Sequence, residues 1–278
     1  MRAVLFPTTL AELFAWSATH PDARLLAGGT DLLVRLRHLP EDARPLICLE
    51  RLAALRGIAL REGELHLAAA TPLAQLTTDP LVAQHCPVLA RAAATIGGPA
   101  IRAMGTLGGN LCTASPAGDT LPALSVLGAR LTLDSAAGTR ELALAEFITG
   151  PGKTRLQPGE LLTAVRVPLR ETFPIQHFEK VGRRQSLAIA VVSLAALLRL
   201  DAAGRVTAAR LAWGSVGPTV VRAPEAEAAL VGQPLTRTSL AAAAAAARQA
   251  VAPIDDVRAS AHYRRQLAGN LLFRLLPA

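Results

Sequence analysis

The sequence predicts an α+β chain in three blocks. Residues 1–56 read as strand, glycine turn, helix and strand. Residues 57–170 pair short strands around a glycine-dense segment. Residues 171–278 place strands first and helices after.

Each block can be justified in chain order. Thr9 and Glu12 have the spacing of a capping box, and Leu10, Leu13 and Phe14 follow at helical intervals. Residues 24–26 are a short strand, 27–31 (AGGTD) a tight turn, 32–37 the start of a second helix, and 46–49 another strand. Residues 57–70 read as two strands joined around Glu62-Gly63-Glu64. Helices are predicted near 72–77 and 87–95. The segment 95–119 shows no amphipathic period and is expected to be mostly loop. A hairpin follows (129–133 and 139–142, around Gly138), then a strand at 161–167. PLRETFP (168–174) is the expected boundary of the last block. Beyond it, strands are predicted at 175–181, 188–200 and 206–213, and helices at 222–231, 239–250 and 259–275. The alanine run 241–247 needs only helix propensity to explain it.

Composition narrows the function. With 278 residues, 51% of them hydrophobic, the chain can bury a sizeable core. The formal charge is +8 and the pI about 10.8. That excess is mostly arginine spread along the chain. The densest groups are Arg183-Arg184 and Arg264-Arg265, with few aromatics between them for stacking bases, so nucleic-acid binding is not expected. Cys48, Cys86 and Cys112 form no C-x-x-C pair, which argues against a zinc or iron–sulfur site in this chain. Their odd, sparse count suits a reducing cytosol. The N-terminus lacks the continuous apolar core of a signal peptide, and the apolar run 187–198 is too short for a transmembrane segment. A cytoplasmic protein is the expectation.

Two glycine loops carry chemical information. In Leu25-Leu26-Ala27-Gly28-Gly29-Thr30-Asp31-Leu32, the glycines stand between strand and helix. They let the backbone approach a ligand, and the following helix N-terminus offers N–H groups to a phosphate. Asp31 reads as a helix cap. Alone this motif is weak and also fits a plain turn. The second loop holds Gly97, Gly98, Gly105, Gly108, Gly109 and Gly118. Ordering so many glycines is entropically costly, and a long loop in a compact domain is usually functional. Its polar residues include Thr106, Asn110, Thr113, Ser115 and Asp119. Small donors and a carboxylate suit a dinucleotide. A plain surface loop would leave Ile96, Ile101, Met104, Leu107 and Leu111 exposed.

With these segments in view the chain resembles the FAD-binding (medium) subunits of the molybdenum hydroxylases, the xanthine dehydrogenase and CO dehydrogenase family. The resemblance rests on LLAGGTDLL (25–33), IRAMGTLGGNLCTASPAGD (101–119), FEKVGRRQSLAIAVVS (178–193) and IDDVRASAHYRRQLAGNLL (254–272). It implies a two-part FAD-binding domain of the vanillyl-alcohol-oxidase (PCMH) type, here 1–56 and 57–170. A C-terminal α+β domain, here 171–278, closes over it. It further implies that Leu25, Leu26, Ala27, Gly28, Gly29, Thr30, Asp31 and Leu32 wrap the FAD pyrophosphate. Thr106, Leu107, Gly108, Gly109 and Asn110 would do so from the other side, and Asp119 would bind cofactor hydroxyls. Ile96 and Leu161 would line the cofactor, Lys180 would lie near the isoalloxazine ring, and Ile189 would sit close to its face. Some relatives carry an aromatic where Ile96 stands, so stacking is lost there. This chain also lacks the cysteine-bearing insert by which some relatives hold an extra iron–sulfur cluster.

The mechanism implied is electron transfer, with no catalytic acid, base or metal required of this chain. A molybdopterin large subunit oxidises the substrate, a small subunit with 2Fe–2S clusters relays electrons, and FAD passes them to NAD, oxygen or another acceptor. Lys180 near the ring would favour the anionic reduced flavin. Cys112 reads as a small buried filler, Arg183 and Arg184 as surface charges, and Tyr263, Arg264 and Arg265 as anchors of the last helix. Two alternatives are a self-contained FAD oxidoreductase of the same fold and a non-enzymatic nucleotide-binding assembly module.

Overall fold

The capping box forms. In the computed structural model, which describes residues 2–39 and 41–276, the Thr9 hydroxyl accepts from the Glu12 amide (3.2 Å). The Glu12 carboxylate in turn accepts from the amides of Thr8 and Thr9. The helix so started, α1 (Leu10–Thr19), turns Leu13 onto a parallel sheet of order β1-β3-β2. Its strands are β1 (Val4–Leu5), β2 (Arg24–Leu26) and β3 (Leu46–Cys48), and β1 was not foreseen from sequence. The short helix α2 (Leu32–Arg37) follows β2. Its cap differs from expectation. Asp31 makes no side-chain bond to the helix start; its carboxylate pairs with Arg35 (2.9 Å) and accepts from the Thr113 hydroxyl (3.2 Å).

A second sheet is antiparallel, in the order β4-β5-β10-β6-β7. Its strands are β4 (Ile58–Arg61), β5 (Glu64–Ala68), β6 (Arg130–Ser135), β7 (Gly138–Ala143) and β10 (Leu161–Pro168). Glu62 and Gly63 join the first two strands with φ values of 49° and 77°. Two left-handed residues match the twist of a tight hairpin. Between β5 and β6 lie α3 (Leu73–Thr78), α4 (Pro80–His85), α5 (Pro87–Ala94), α6 (Pro99–Met104), α7 (Leu107–Thr113) and α8 (Thr120–Val126). The short α9 (Leu144–Phe147) and the pair β8 (Ile148–Gly150) and β9 (Lys153–Thr154) lead back to β10.

The expected loop at 95–119 is therefore corrected, because α6 and α7 occupy much of it. Pro99 opens α6 at a position where its missing N–H costs nothing, and Thr106 caps α7. Helices of two turns or fewer are too short to show an amphipathic period. Leu107 and Leu111 are buried, whereas Ile101 and Met104 stay exposed.

The third sheet is antiparallel, in the order β11-β12-β13-β14. It comprises β11 (Ile175–Gly182), β12 (Ala190–Leu200), β13 (Val206–Gly214) and β14 (Val221–Arg222). One face (Phe178, Ala195, Leu197, Ala212) joins the core around α5 and α8. The other (Val192, Leu194, Leu198, Trp213) packs on α10 (Pro224–Leu230), α11 (Arg237–Ala250) and α12 (Ala261–Asn270). Both faces of β12 are covered, so its sequence is a continuous apolar run rather than an alternation. Buried Arg264 pins α12 by donating to the carbonyls of Val191 and Ser215 (3.0 Å each). Tyr263 is no anchor: it is exposed, as is Cys112, which was expected to be buried.

Candidate cofactor site

The two glycine segments meet. A side-chain carbon on Gly28 would overlap the Met104 carbonyl and approach Gly105 Cα to 3.0 Å. Backbone therefore crosses backbone, which only glycine permits. Gly29 has a φ of +72°, turning the chain into α2. Among the described residues, the amides of 28–31 meet no acceptor within hydrogen-bond distance. Consecutive free N–H groups ahead of a helix form a concavity suited to an anion.

In the second segment the amides of Leu107, Gly108 and Gly109 have protein acceptors. The Gly108 amide donates to Ala69 O (2.7 Å), the Leu107 amide to Thr71 O, and the Gly109 amide to the Thr106 hydroxyl (3.1 Å). These N–H groups are engaged by protein. The absent side chain at Gly108 instead lets α7 pack on Ala69, whose Cβ would lie 2.7 Å from an added carbon. The Asn110 side-chain oxygen accepts from the Thr120 hydroxyl (2.6 Å), which ties α7 to α8.

Asp119 and Lys180, distant in sequence, form a buried ion pair at 2.6 Å. Lys180 also donates to the Thr95 carbonyl (3.0 Å). Asp119 stands at the start of α8, and its second oxygen, Oδ1, is buried without a partner. Burial pushes the Asp119 carboxyl up to about 6, against the opposing pull of the Lys180 ammonium. An orphaned buried carboxylate oxygen costs about 1–3 kcal/mol and suits a donor from a bound molecule, such as a hydroxyl.

Beside the pair opens a cavity of about 460 Å³, lined by Thr95, Gly97, Gly98, Arg102, Lys180 and the segment 184–188. The sequence analysis named Gly97, Gly98 and Lys180 among these lining residues; the contribution of 184–188 was not foreseen. Between this cavity and the crossing at Gly28 runs α6, about 9 Å long. It leaves Ile101 42% and Met104 58% exposed.

The remaining candidates are placed as follows. Leu25 and Ala27 pack on the core cluster that buries Leu161, so Leu161 supports the first loop from beneath. Leu26 ends β2, Thr30 lies against Gly105, and Leu32 opens α2. Ile96 is half-buried, and its carbonyl accepts from Arg102. Ile189 is exposed at 53%.

A larger cleft, about 550 Å³, lies past the far end of α8. Most of its arginines already have carboxylate partners: Arg166 with Glu64 and Glu141, Arg130 with Glu141, Arg210 with Glu171. It reads as a structural ion-pair network.

Comparison with known proteins shows the family. Residues 1–170 match the family described as FAD binding domain in molybdopterin dehydrogenase, and 176–278 match the CO dehydrogenase flavoprotein C-terminal domain. The chain is 37% identical to the xanthine dehydrogenase FAD-binding subunit of Escherichia coli O157:H7, across 96% of this chain and 92% of that one. It is 32% identical to the nicotinate dehydrogenase FAD-subunit of Eubacterium barkeri, across 97% and 93%. Among solved structures, quinoline 2-oxidoreductase from Pseudomonas putida 86 superposes with a TM-score of 0.93 at 31% identity, across 99% of this chain and 95% of that one. Reconstituted CO dehydrogenase from Oligotropha carboxidovorans gives a TM-score of 0.93 at 30%, across 99% and 96%. With both halves matched, this FAD-binding oxidoreductase chain belongs to the flavin subunits of the molybdenum hydroxylases, the xanthine dehydrogenase and CO dehydrogenase family.

Proposed function

We propose that the chain holds FAD extended along α6 and relays electrons through it within a molybdenum hydroxylase complex. The observation that carries the reading is the unpartnered amide row at 28–31, seated against the 104–105 backbone. It suits the pyrophosphate. The orphaned Asp119 oxygen suits a cofactor hydroxyl, and the cavity beside Lys180 suits the isoalloxazine end. Exposed Ile101 and Met104 supply apolar surface between the two ends. Thr106, Leu107, Gly108, Gly109 and Asn110 support the site by packing α7 under the crossing.

The bound FAD supplies the redox chemistry, accepting and releasing electrons. The protein's part is to bind, orient and set charge. Lys180 places a cation at the ring end, and Asp119 balances it. In this reading electrons come from a 2Fe–2S small subunit, itself fed by a molybdopterin large subunit, and leave to NAD or another acceptor. The division 1–56, 57–170 and 171–278 then corresponds to two cofactor-binding parts and a closing domain. Cytoplasmic placement belongs to the same reading, supported by three cysteines without disulfides.

The test is a visible absorption spectrum of the purified chain, followed by heat release and identification of the flavin. Flavin bands with released FAD are expected, and loss of both in Gly28→Ala with an unchanged circular dichroism spectrum. A folded wild-type chain that neither carries nor takes up FAD overturns the reading.

A further inference from the structure

Helix α8 carries Asp119 at its start, and different strands of the third sheet hold its two ends. The start is held by the ion pair with Lys180 on β11. The far end closes in a left-handed turn. Gly128 has a φ of +68°; its amide donates to Ser125 O (3.1 Å), and the Ala129 amide donates to Leu124 O (3.0 Å). That pattern satisfies two of the last carbonyls. The Val126 carbonyl accepts instead from the guanidinium of Arg210 (3.3 Å), which comes from β13. The last turn of α8 holds no basic residue of its own, so Arg210 also supplies the cation that the negative end of a helix favours.

Between its ends the helix lies directly on the sheet. Lys180, Ser193 and Gly214 form one row across β11, β12 and β13. Pro122 of α8 sits over this row, where a side-chain carbon on Gly214 would stand 3.0 Å from it. Arg210 lies four residues back along β13 and therefore on the same face. Its guanidinium is itself fixed. It donates to Glu171 (2.6 Å) and lies over the buried Phe173 ring at 4.9 Å. Both of these residues stand between the two matched regions, 1–170 and 176–278.

The geometry points to Arg210 as a positioning residue for the cofactor site: by fixing the far end of α8, it sets how closely Asp119 approaches Lys180. The helix has seven residues and is about 10 Å long. A rod so short moves as one piece, so slack at Val126 reaches Asp119. The attraction within the pair falls as its separation grows, and the Lys180 ammonium is then less masked. The inference rests on the proposed function in one respect, that the pair faces the isoalloxazine end.

The test compares Arg210→Met, Arg210→Lys and Glu171→Gln in the full chain, with two readouts. In the flavin-free chain, carbon-detected NMR follows the titration of the Asp119 carboxyl, on which Lys180 is the acting charge. Arg210→Met is expected to move the midpoint up by about half a pH unit, a threefold change in proton affinity, because the pull of the ammonium weakens. Arg210→Lys keeps a cation at the helix end and should stay at the wild-type midpoint. With FAD bound, Arg210→Met is expected to raise the flavin potential, in the direction of Asp119→Asn and by less. Placed in the Asp119→Asn background, it should shift the potential no further. Glu171→Gln stands at an exposed position, leaves folding intact and should give the same shifts at smaller size. A merely structural role predicts a lower melting temperature with an unmoved midpoint, and that result in Arg210→Met and Glu171→Gln overturns the inference. So does a potential shift that survives in the Asp119→Asn background. A moved midpoint keeps the inference even where the chain holds no FAD or the potential stays, and those two results count against the proposed function alone.

Discussion

Asp119 and Lys180 form one buried ion pair, so each residue masks the other, and on the proposed reading the pair sets the charge at the ring end of the site. Removing one exposes its partner, so the two substitutions should act in opposite directions on the bound flavin. Lys180→Met removes the ammonium that favours electron uptake, and without its pull burial drives Asp119 further toward the neutral acid, so the flavin potential should fall. Asp119→Asn leaves an ammonium and should raise it. Shifts of roughly 30 mV correspond to a tenfold change in a two-electron equilibrium, and at least that is expected in each direction. Spectroelectrochemical titration of the flavin-loaded chain measures both. Shifts of the same sign, or none, would show that the pair does not act on the ring. The sequence offered Asp119 and Lys180 as two separate candidates and gave no sign that they pair. They lie on different elements, and only the fold brings the two within 2.6 Å.

At the scale of elements, the C-terminal part depends on one strap. Arg264 on α12 reaches two carbonyls, Val191 O on β12 and Ser215 O after β13, and also the Asp256 carboxylate. Burial would raise the Asp256 carboxyl, but the Arg258 amide and the Arg264 and Arg258 guanidiniums outweigh it and hold it well below the usual range. Arg264→Met keeps the aliphatic volume and removes these bonds, leaving two buried carbonyls short of donors. A loss of about 3 kcal/mol is expected. Denaturant unfolding of the variant checks it, and a midpoint within about 1 kcal/mol of wild type would show the strap to be dispensable. Both faces of β12 are covered for a related reason. Its sheet is shared between the helices of the cofactor half and α10–α12, so the site's Lys180 sits on a strand braced from behind.

For the whole molecule, two groups of carboxylates pull stability in opposite directions with pH. Asp119 carries a proton more readily when folded, with its carboxyl near 6 against an ordinary 3.8. Its contribution is fully present below 3.8 and is lost as pH rises through about 6. Asp42, held down first by the Arg44 guanidinium, and Asp256 behave conversely and lose stability as pH falls. The flavin-free chain should therefore be most stable in mildly acid solution. Asp119→Asn should flatten the decline between pH 4 and pH 7 by about 3 kcal/mol, read from chemical denaturation at each pH. A variant that declines as steeply as wild type would remove Asp119 as the cause.

Much was legible in the sequence because local chemistry was enough to write it. The α1 capping box, the Glu62-Gly63 turn and the apolar run of β12 each follow from neighbouring residues. The short strand β1 and helices α6 and α7 did not show, since elements of two to seven residues hold too little periodicity to read. Motif residues alone determined the family and its cofactor. Tertiary structure decided which glycines do what. The weaker motif, at 28–31, keeps its amides free, while the stronger one, at 106–110, uses them to pack α7 against 69–71. Whether an N–H is free depends on which carbonyl the fold brings to it, and that carbonyl comes from a distant part of the chain. The Asp119–Lys180 pair was hidden for the same reason: burial and partnership are properties of packing, not of residue type.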